Sequence, residues 1–170
     1  MSEFPSQKDI MFFAAIGRLA VSWAHVEAAL DIKVEMARKM GWDKVDPVRP
    51  RSLKRKVEYL KRFFKSLNMP DDGMESYDRL FRRIHDLAEA RHDIIHGAVI
   101  EHAEDSTEVK FVRFLYSDDE LGRKPITANS KTVMGKAQEM ERLAHSMFKW
   151  IDAVREFSRE QAQSGVARNH

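Results

Sequence analysis

Apolar residues recur at steps of three and four along four stretches of this chain, which is the spacing of one face of an α-helix. The longest such stripe comprises Phe12, Ile16, Leu19, Trp23, Val26, Leu30, Val34 and Ala37. The four predicted helices cover residues 7–41, 51–67, 71–97 and 133–159. Because the connections are short, the pattern predicts a mainly all-α fold, a four-helix up-and-down bundle forming one domain over residues 1–170. Residues 160–170 are expected to be a frayed tail.

The stretch between the third and fourth helices has a different pattern. Residues 98–102 and 108–116 are rich in β-branched and aromatic side chains, and residues 103–107 form a polar turn between them. The sequence therefore predicts a small β-hairpin over residues 98–116, which must pack on the bundle or pair with a second chain to be stable. Residues 117–130, which contain Gly122 and Pro125, are predicted to be a loop.

The composition limits the chemistry that the chain can perform. It has 170 residues and no cysteine, which excludes disulfides, thiolate metal sites and cysteine nucleophiles. The histidines and carboxylates must therefore carry any reaction. No run of 18 apolar residues is present, and residues 1–8 do not have the pattern of a signal peptide. A cytoplasmic protein with no membrane span is expected.

The net charge of +2 is small, but cations concentrate on the second predicted helix. Residues 49–65 contain eight lysines and arginines against the single acid Glu58. Such a local potential attracts a polyanion. The candidate RNA-binding residues are Arg51, Lys54, Arg55, Lys61 and Arg62. Charge counting alone fits a solvated face balanced by acids elsewhere in the fold equally well.

The third helix places an arginine in line with its apolar residues. Its stripe is Tyr77, Leu80, Ile84 and Leu87, and the next steps of four and three reach Arg91 and Ile94. Arg91 is therefore expected to be mostly buried, and it needs a partner because a buried unpaired charge costs on the order of several kcal/mol. Glu27, at the edge of the first helix's stripe, is the nominated carboxylate, although a solvated role fits Glu27 equally well.

The end of this helix resembles the signature of the HEPN (higher eukaryotes and prokaryotes nucleotide-binding) domains. That signature is an arginine, a polar residue, three further residues and a histidine, which correspond here to Arg91, His92 and His96. The resemblance covers residues 8–160 at the level of helix order. It implies a metal-independent endoribonuclease of a toxin-antitoxin or defence type, with an antitoxin or a nucleotidyltransferase-like protein as partner.

The resemblance also implies roles for individual residues. His96 would assist proton transfer around a ribose 2'-hydroxyl, and Arg91 would stabilise charge on the phosphate. The chemistry agrees, because imidazole titrates near neutrality and guanidinium binds phosphate without losing its charge. His92 would be an accessory polar group, and Asp93 and Glu27 would orient the pair. No cofactor and no metal are implied.

Helix geometry does not bring the arginine and the histidine together. Five residues along an ideal helix put Arg91 and His96 roughly 140° apart with about 7.5 Å of rise. A second subunit would supply the missing proximity, so the sequence predicts a homodimer with its two-fold axis near the third helix. His96 is expected to line a cleft at the end of this helix.

Two alternatives remain open at this stage. His85, Glu89, His92 and His96 share one helix face, so two adjacent members could bind a metal ion with further ligands from elsewhere. The second alternative is a non-catalytic dimeric interaction or nucleotide-binding module, because a fold and a short motif do not establish turnover.

Overall fold

The computed structural model describes residues 6–67, 71–102, 108–116 and 121–167. Four helices carry the fold, as predicted: α1 (Gln7–Lys39), α2 (Leu53–Ser66), α3 (Asp71–His96) and α4 (Ser130–Ala167). A short 3-10 turn (Trp42–Lys44) follows α1. Helix α4 continues to Ala167, beyond its predicted end near residue 159 and into the predicted frayed tail. The predicted polar turn at 103–107 lies outside the described residues.

The core forms where α1 and α4 pack along each other and α2 and α3 close over them. Leu19, Val26 and Leu30 of α1 are fully buried, as are Val133 and Met140 of α4. An aromatic layer joins the other two helices, since the rings of Phe64 and Tyr77 stack with centroids 4.0 Å apart. The apolar stripes read from the sequence are thus the buried faces, and they fix the orientation of α3.

A three-stranded antiparallel sheet follows α3, with strands β1 (Ala98–His102), β2 (Glu108–Tyr116) and β3 (Leu121–Asn129) in that order. The predicted hairpin is present, but the loop predicted for 117–130 is wrong, because most of it forms β3. Pro125 pairs with Val112 in the ladder. Proline is tolerated there because β3 is an edge strand and need not donate on its outer side. The inner face of β2 packs on the bundle, with the Phe111 ring 5.8 Å from that of Phe12.

A lysine lies inside the core. Lys33 of α1 is only 2% exposed, and its Nζ lies 6.0 Å from the centre of the Tyr77 ring. It faces a cavity of about 500 Å³ between α1, α3 and α4. Burial lowers the pKa of this amine from 10.5 to about 7, because a charged ammonium is disfavoured away from water.

Candidate functional site

The side chains of Arg91 and His96 meet within one chain. Nη1 of Arg91 lies 3.4 Å from Nε2 of His96, a long hydrogen bond. The expectation that the two do not converge within one helix is therefore wrong. His96 is the last residue of α3, and the long arginine side chain spans the rise that separates the two positions. Because guanidinium is always protonated, Arg91 donates this bond and Nε2 of His96 accepts it.

His92 adds a second imidazole to the pair. Its ring centre lies 4.6 Å from that of His96, one turn further along the helix. Partial desolvation of the ring, followed by the positive charge of Arg113, lowers the pKa of His92 below its ordinary value. This shift favours the neutral form of the His92 imidazole. The end of α3 therefore combines one permanent cation with two adjacent imidazoles.

Arg91 is mostly but not fully buried. Its Nε is shielded from solvent and has no hydrogen-bond partner among the described residues. Among the side chains that the structure describes, no carboxylate forms an ion pair with Arg91. Glu27 is exposed, and its expected pairing with Arg91 is wrong. The face of α1 turned to α3 carries Lys33, which lies beside Tyr77, and Glu27 is about 120° around α1 from Lys33.

Asp93 has a structural role that the sequence did not indicate. It is only 8% exposed, and its carboxylate accepts hydrogen bonds from Arg113 of β2 at 2.6 Å and from Lys124 of β3 at 2.7 Å. Burial alone would raise the pKa of the Asp93 carboxyl, but the bonds from Lys124 and Arg113 outweigh it and lower the pKa below its usual value. Asp93 therefore fastens the sheet to the last turns of α3 instead of orienting Arg91 or His96.

Gly97 makes this arrangement possible. A Cβ atom at this position would lie 2.5 Å from the carbonyl oxygen of Asp93 and 3.1 Å from Cβ of Phe111. Only glycine allows the chain to leave the helix so close to both groups. Gly97 thus sets the distance between β2 and the site.

A groove of about 850 Å³ runs between α2 and α3 up to the site. His92 and Arg113 line its upper end, and its walls carry Lys54, Lys61 and Arg82. Arg91 and His96 are not among the residues that line this groove. His96 is exposed, and its ring lies next to that of His92, which does line the groove.

The candidate RNA-binding residues divide into three groups. Lys54 and Lys61 line the groove, while Arg55 and Arg62 line a smaller pocket of about 230 Å³. Arg51 is exposed and lies in neither. Acids from elsewhere in the fold neutralise part of the basic face, since Asp46 pairs with Arg62 at 2.5 Å and Asp78 with Lys61 at 3.5 Å. Within the described residues, Arg51, Lys54 and Arg55 have no such partner.

Arg113 and Lys124 are functional candidates that the sequence analysis missed. Arg113 follows Val109 and Phe111 at every second position of β2, on the strand's inward face. This alternation was a signal in the sequence that the arginine points towards the bundle. Lys124 had none, because its strand was predicted as a loop. Lys124 also lies 3.5 Å from Glu89, which links β3 to the histidine-bearing face of α3.

No group of three or more metal-ligating side chains lies close together in the part of the chain that the structure describes. On the predicted metal-binding face, Glu89 contacts Lys124. His85 is exposed, and Nδ1 of its ring lies 3.9 Å from the carboxylate of Asp86.

Comparisons with protein-family models, with curated proteins and with solved structures find no match.

Proposed function

We propose that this protein cleaves RNA at the Arg91–His96 pair, as a metal-independent endoribonuclease of a toxin-antitoxin or defence type. The observation that carries the proposal is the 3.4 Å contact between the guanidinium and the imidazole. A guanidinium binds two phosphate oxygens at once, and an imidazole beside it is placed to move a proton. The resemblance to HEPN domains supports the same two residues.

The contact suggests how the reaction would begin. Nε2 of His96 accepts a hydrogen bond from Arg91, so the proton of a neutral imidazole is on Nδ1. A phosphate that takes the guanidinium hydrogens would release Nε2 to act as a base. The 2'-hydroxyl then loses its proton to Nε2 and its oxygen bonds to phosphorus, while the bond to the 5'-oxygen breaks and that oxygen takes a proton from solvent. The products are a 2',3'-cyclic phosphate and a 5'-hydroxyl.

The groove gives the substrate a path to this pair. Lys54 and Lys61 of α2 and Arg82 of α3 would hold phosphates along it, and Arg113 would hold one near His92. Phosphate contacts of this kind position a nucleic acid without selecting its sequence. We therefore expect binding to single-stranded RNA of many sequences, with a strong dependence on salt.

The activity is tested with single-stranded RNA in buffer that contains EDTA. The unmodified protein should cleave it and leave a 2',3'-cyclic phosphate, which end-group analysis detects. His96→Ala should lower the rate by about 100-fold or more, the usual contribution of a positioned proton-transfer group. Arg91→Ala should do the same, with an unchanged circular dichroism spectrum as the check on folding. Cleavage that persists at the original rate in His96→Ala would refute the assignment.

The path is tested with two matched double variants in and next to α2. Lys54→Gln with Lys61→Gln removes two charges from the groove, and Arg51→Gln with Arg55→Gln removes two charges outside it, one just before the N-cap Ser52 and one in the first turn of α2. Only the first pair should weaken RNA binding and reduce the magnitude of the slope of log K against log salt by about 1.4, the value for two phosphate contacts to a single strand. Neither should change the rate at saturating RNA. An equal loss in both variants would move the path to the outer face of α2.

A nucleotide-binding module without turnover is the second candidate. The groove favours it, because about 850 Å³ suits a nucleotide and its lining combines cations with the apolar side chains Leu53, Val57 and Ile84. Binding of RNA or of a nucleotide without cleavage, with or without divalent metal, would select this function. Expression of the unmodified chain and of His96→Ala in cells tests the toxin part, since only the unmodified chain should slow growth and a neutralising partner should restore it.

A further inference from the structure

Helix α1 is apolar on two opposite faces. One face forms the core, through residues such as Leu19, Val26 and Leu30. At 100° per residue, a second apolar stripe lies on the opposite side and points away from the rest of the chain. Its members are all exposed, and they are Ile10, Ala14, Gly17, Val21, Ala24, Ala28 and Ile32. Exposed apolar surface of this extent on one helix normally marks an interface.

No contact within the described residues accounts for the apolar and small side chains on this exposed stripe. A Cβ atom at Gly17 would meet no atom within 4 Å, although glycine in the middle of a helix weakens it. Val21 at the centre is 59% exposed, and Phe13 beside the stripe is 62% exposed. No charged residue interrupts the stripe between Ile10 and Ile32.

The order of residues along the stripe is nearly the same in both directions from Val21. Ile10 and Ile32 lie eleven positions on either side, and Ala14 and Ala28 lie seven positions on either side. Gly17 and Ala24, both small, lie four and three positions away. This near-symmetry suits an antiparallel pair of identical helices, because a two-fold axis at Val21 brings Ile10 against Ile32 and Ala14 against Ala28.

We propose that α1 pairs with α1 of a second copy of this chain in antiparallel orientation, with the two-fold axis at Val21. The large residues would meet at the ends and the small ones between them, so that the helices approach closely. The stripe is about 33 Å long and about 10 Å wide, and it would bury on the order of 1,000 Å² in total, the lower limit for a specific interface. An interface of this size lies at the low end of the range, where weak and transient complexes are found, so we expect a weak homodimer.

This seam differs from the dimer that the sequence predicted. The expected axis near α3 rested on the separation of Arg91 and His96, which the structure removes. Helix α3 packs on the core side of α1, so the outward stripe lies away from it. Each copy would carry a complete pair of Arg91 and His96, and the proposal is independent of the RNA-cleaving function.

Cysteine cross-linking tests the orientation, since the chain has no cysteine of its own. Val21→Cys should form a disulfide-linked dimer under mild oxidation, because a residue on the axis faces itself. Ala14→Cys mixed with Ala28→Cys should cross-link in high yield, and neither should cross-link when oxidised alone. Self-linking of Ala14→Cys would indicate parallel helices and overturn the proposal.

Sedimentation equilibrium tests the interface itself. The unmodified protein should associate with a dissociation constant of about 1–100 μM, and Val21→Lys should weaken association by at least 10-fold without loss of helicity. Val48→Lys is the matched control, since Val48 is 67% exposed and lies outside the stripe. A protein that stays monomeric at 200 μM, or a Val21→Lys variant that still dimerises, would overturn the proposal. Helix α1 is also long and apolar enough to cross a membrane. If the protein is monomeric and binds lipid vesicles, and Val21→Lys abolishes that binding, the stripe contacts a membrane and the dimer proposal is overturned.

Discussion

Replacement of Lys33 by methionine should make this protein more stable at neutral pH. The amine is enclosed by the core, with Tyr77 beside it, and burial lowers the pKa of Lys33 to about 7. Below that pH the folded protein therefore holds a charged ammonium that has little access to water. Methionine has a similar length and no charge, so it removes this cost and keeps most of the packing.

The pH dependence follows from the direction of the shift. Between pH 7 and 10.5 the unfolded chain holds a proton on Lys33 that the folded chain does not. The free energy of unfolding therefore rises with pH across this interval by up to about 1.4 kcal/mol per pH unit, and by about 5 kcal/mol in total if the shift is fully realised. Above pH 10.5 Lys33 is neutral in both the folded and the unfolded chain, so it no longer changes the free energy of unfolding with pH.

Urea denaturation at several pH values between 6 and 10 measures the difference between the unmodified protein and Lys33→Met. At pH 7 the variant should be more stable by about 1–4 kcal/mol, the range found when buried charges are replaced by apolar residues. The difference should shrink towards zero near pH 10. Lys39→Met, an exposed lysine on the same helix, should change stability by less than about 0.5 kcal/mol at every pH. A Lys33→Met variant less stable at pH 7, with the pH slope unchanged, would refute the reasoning.

Three further predictions concern the end of α3. Arg113→Met should raise the pKa of His92, because the charge of Arg113 disfavours protonation of the ring. NMR titration of the imidazole measures this pKa, and an unchanged value would contradict the prediction. Gly97→Ala should destabilise the protein by about 1–3 kcal/mol through overpacking, whereas Gly135→Ala, with open space around it, should stabilise it by about 0.5–1 kcal/mol in the same thermal denaturation assay. Asp93→Asn should cost about 1–3 kcal/mol at pH 7, and nothing at low pH. The pKa of the Asp93 carboxyl is lowered in the folded state, so its contribution is present above the unfolded pKa and is lost as pH falls through the folded one, which denaturation at pH 2 and 7 would measure.

The sequence predicts the helices well because their apolar spacing reports directly which face is buried. It predicts β3 poorly because Gly122 and Pro125 interrupt the alternation, and only pairing with β2 makes an extended conformation favourable. It also hides Lys33, because a lysine next to Val34 in an amphipathic pattern is ordinarily read as an edge residue.

The candidate site was predicted in its residues but not in its geometry. Arg91, His92 and His96 were identified from their order along α3, and the structure brings all three together. Their approach depends on side-chain length and rotamer, which backbone angles alone do not give. The role of Asp93 could not be predicted, since both of its partners come from strands that are distant in sequence.

The Asp93 carboxylate also affects how the molecule opens. Strands β2 and β3 each give it one cation, so neither strand can leave the bundle without removing part of the compensation of a buried charge. Amide protons of both strands and of the last turn of α3 should then exchange with solvent in a single cooperative opening. A ligand that holds Arg91 would add its binding free energy to the cost of that opening. Hydrogen exchange would therefore slow in β3, although none of the groove residues proposed to hold the ligand lies on that strand.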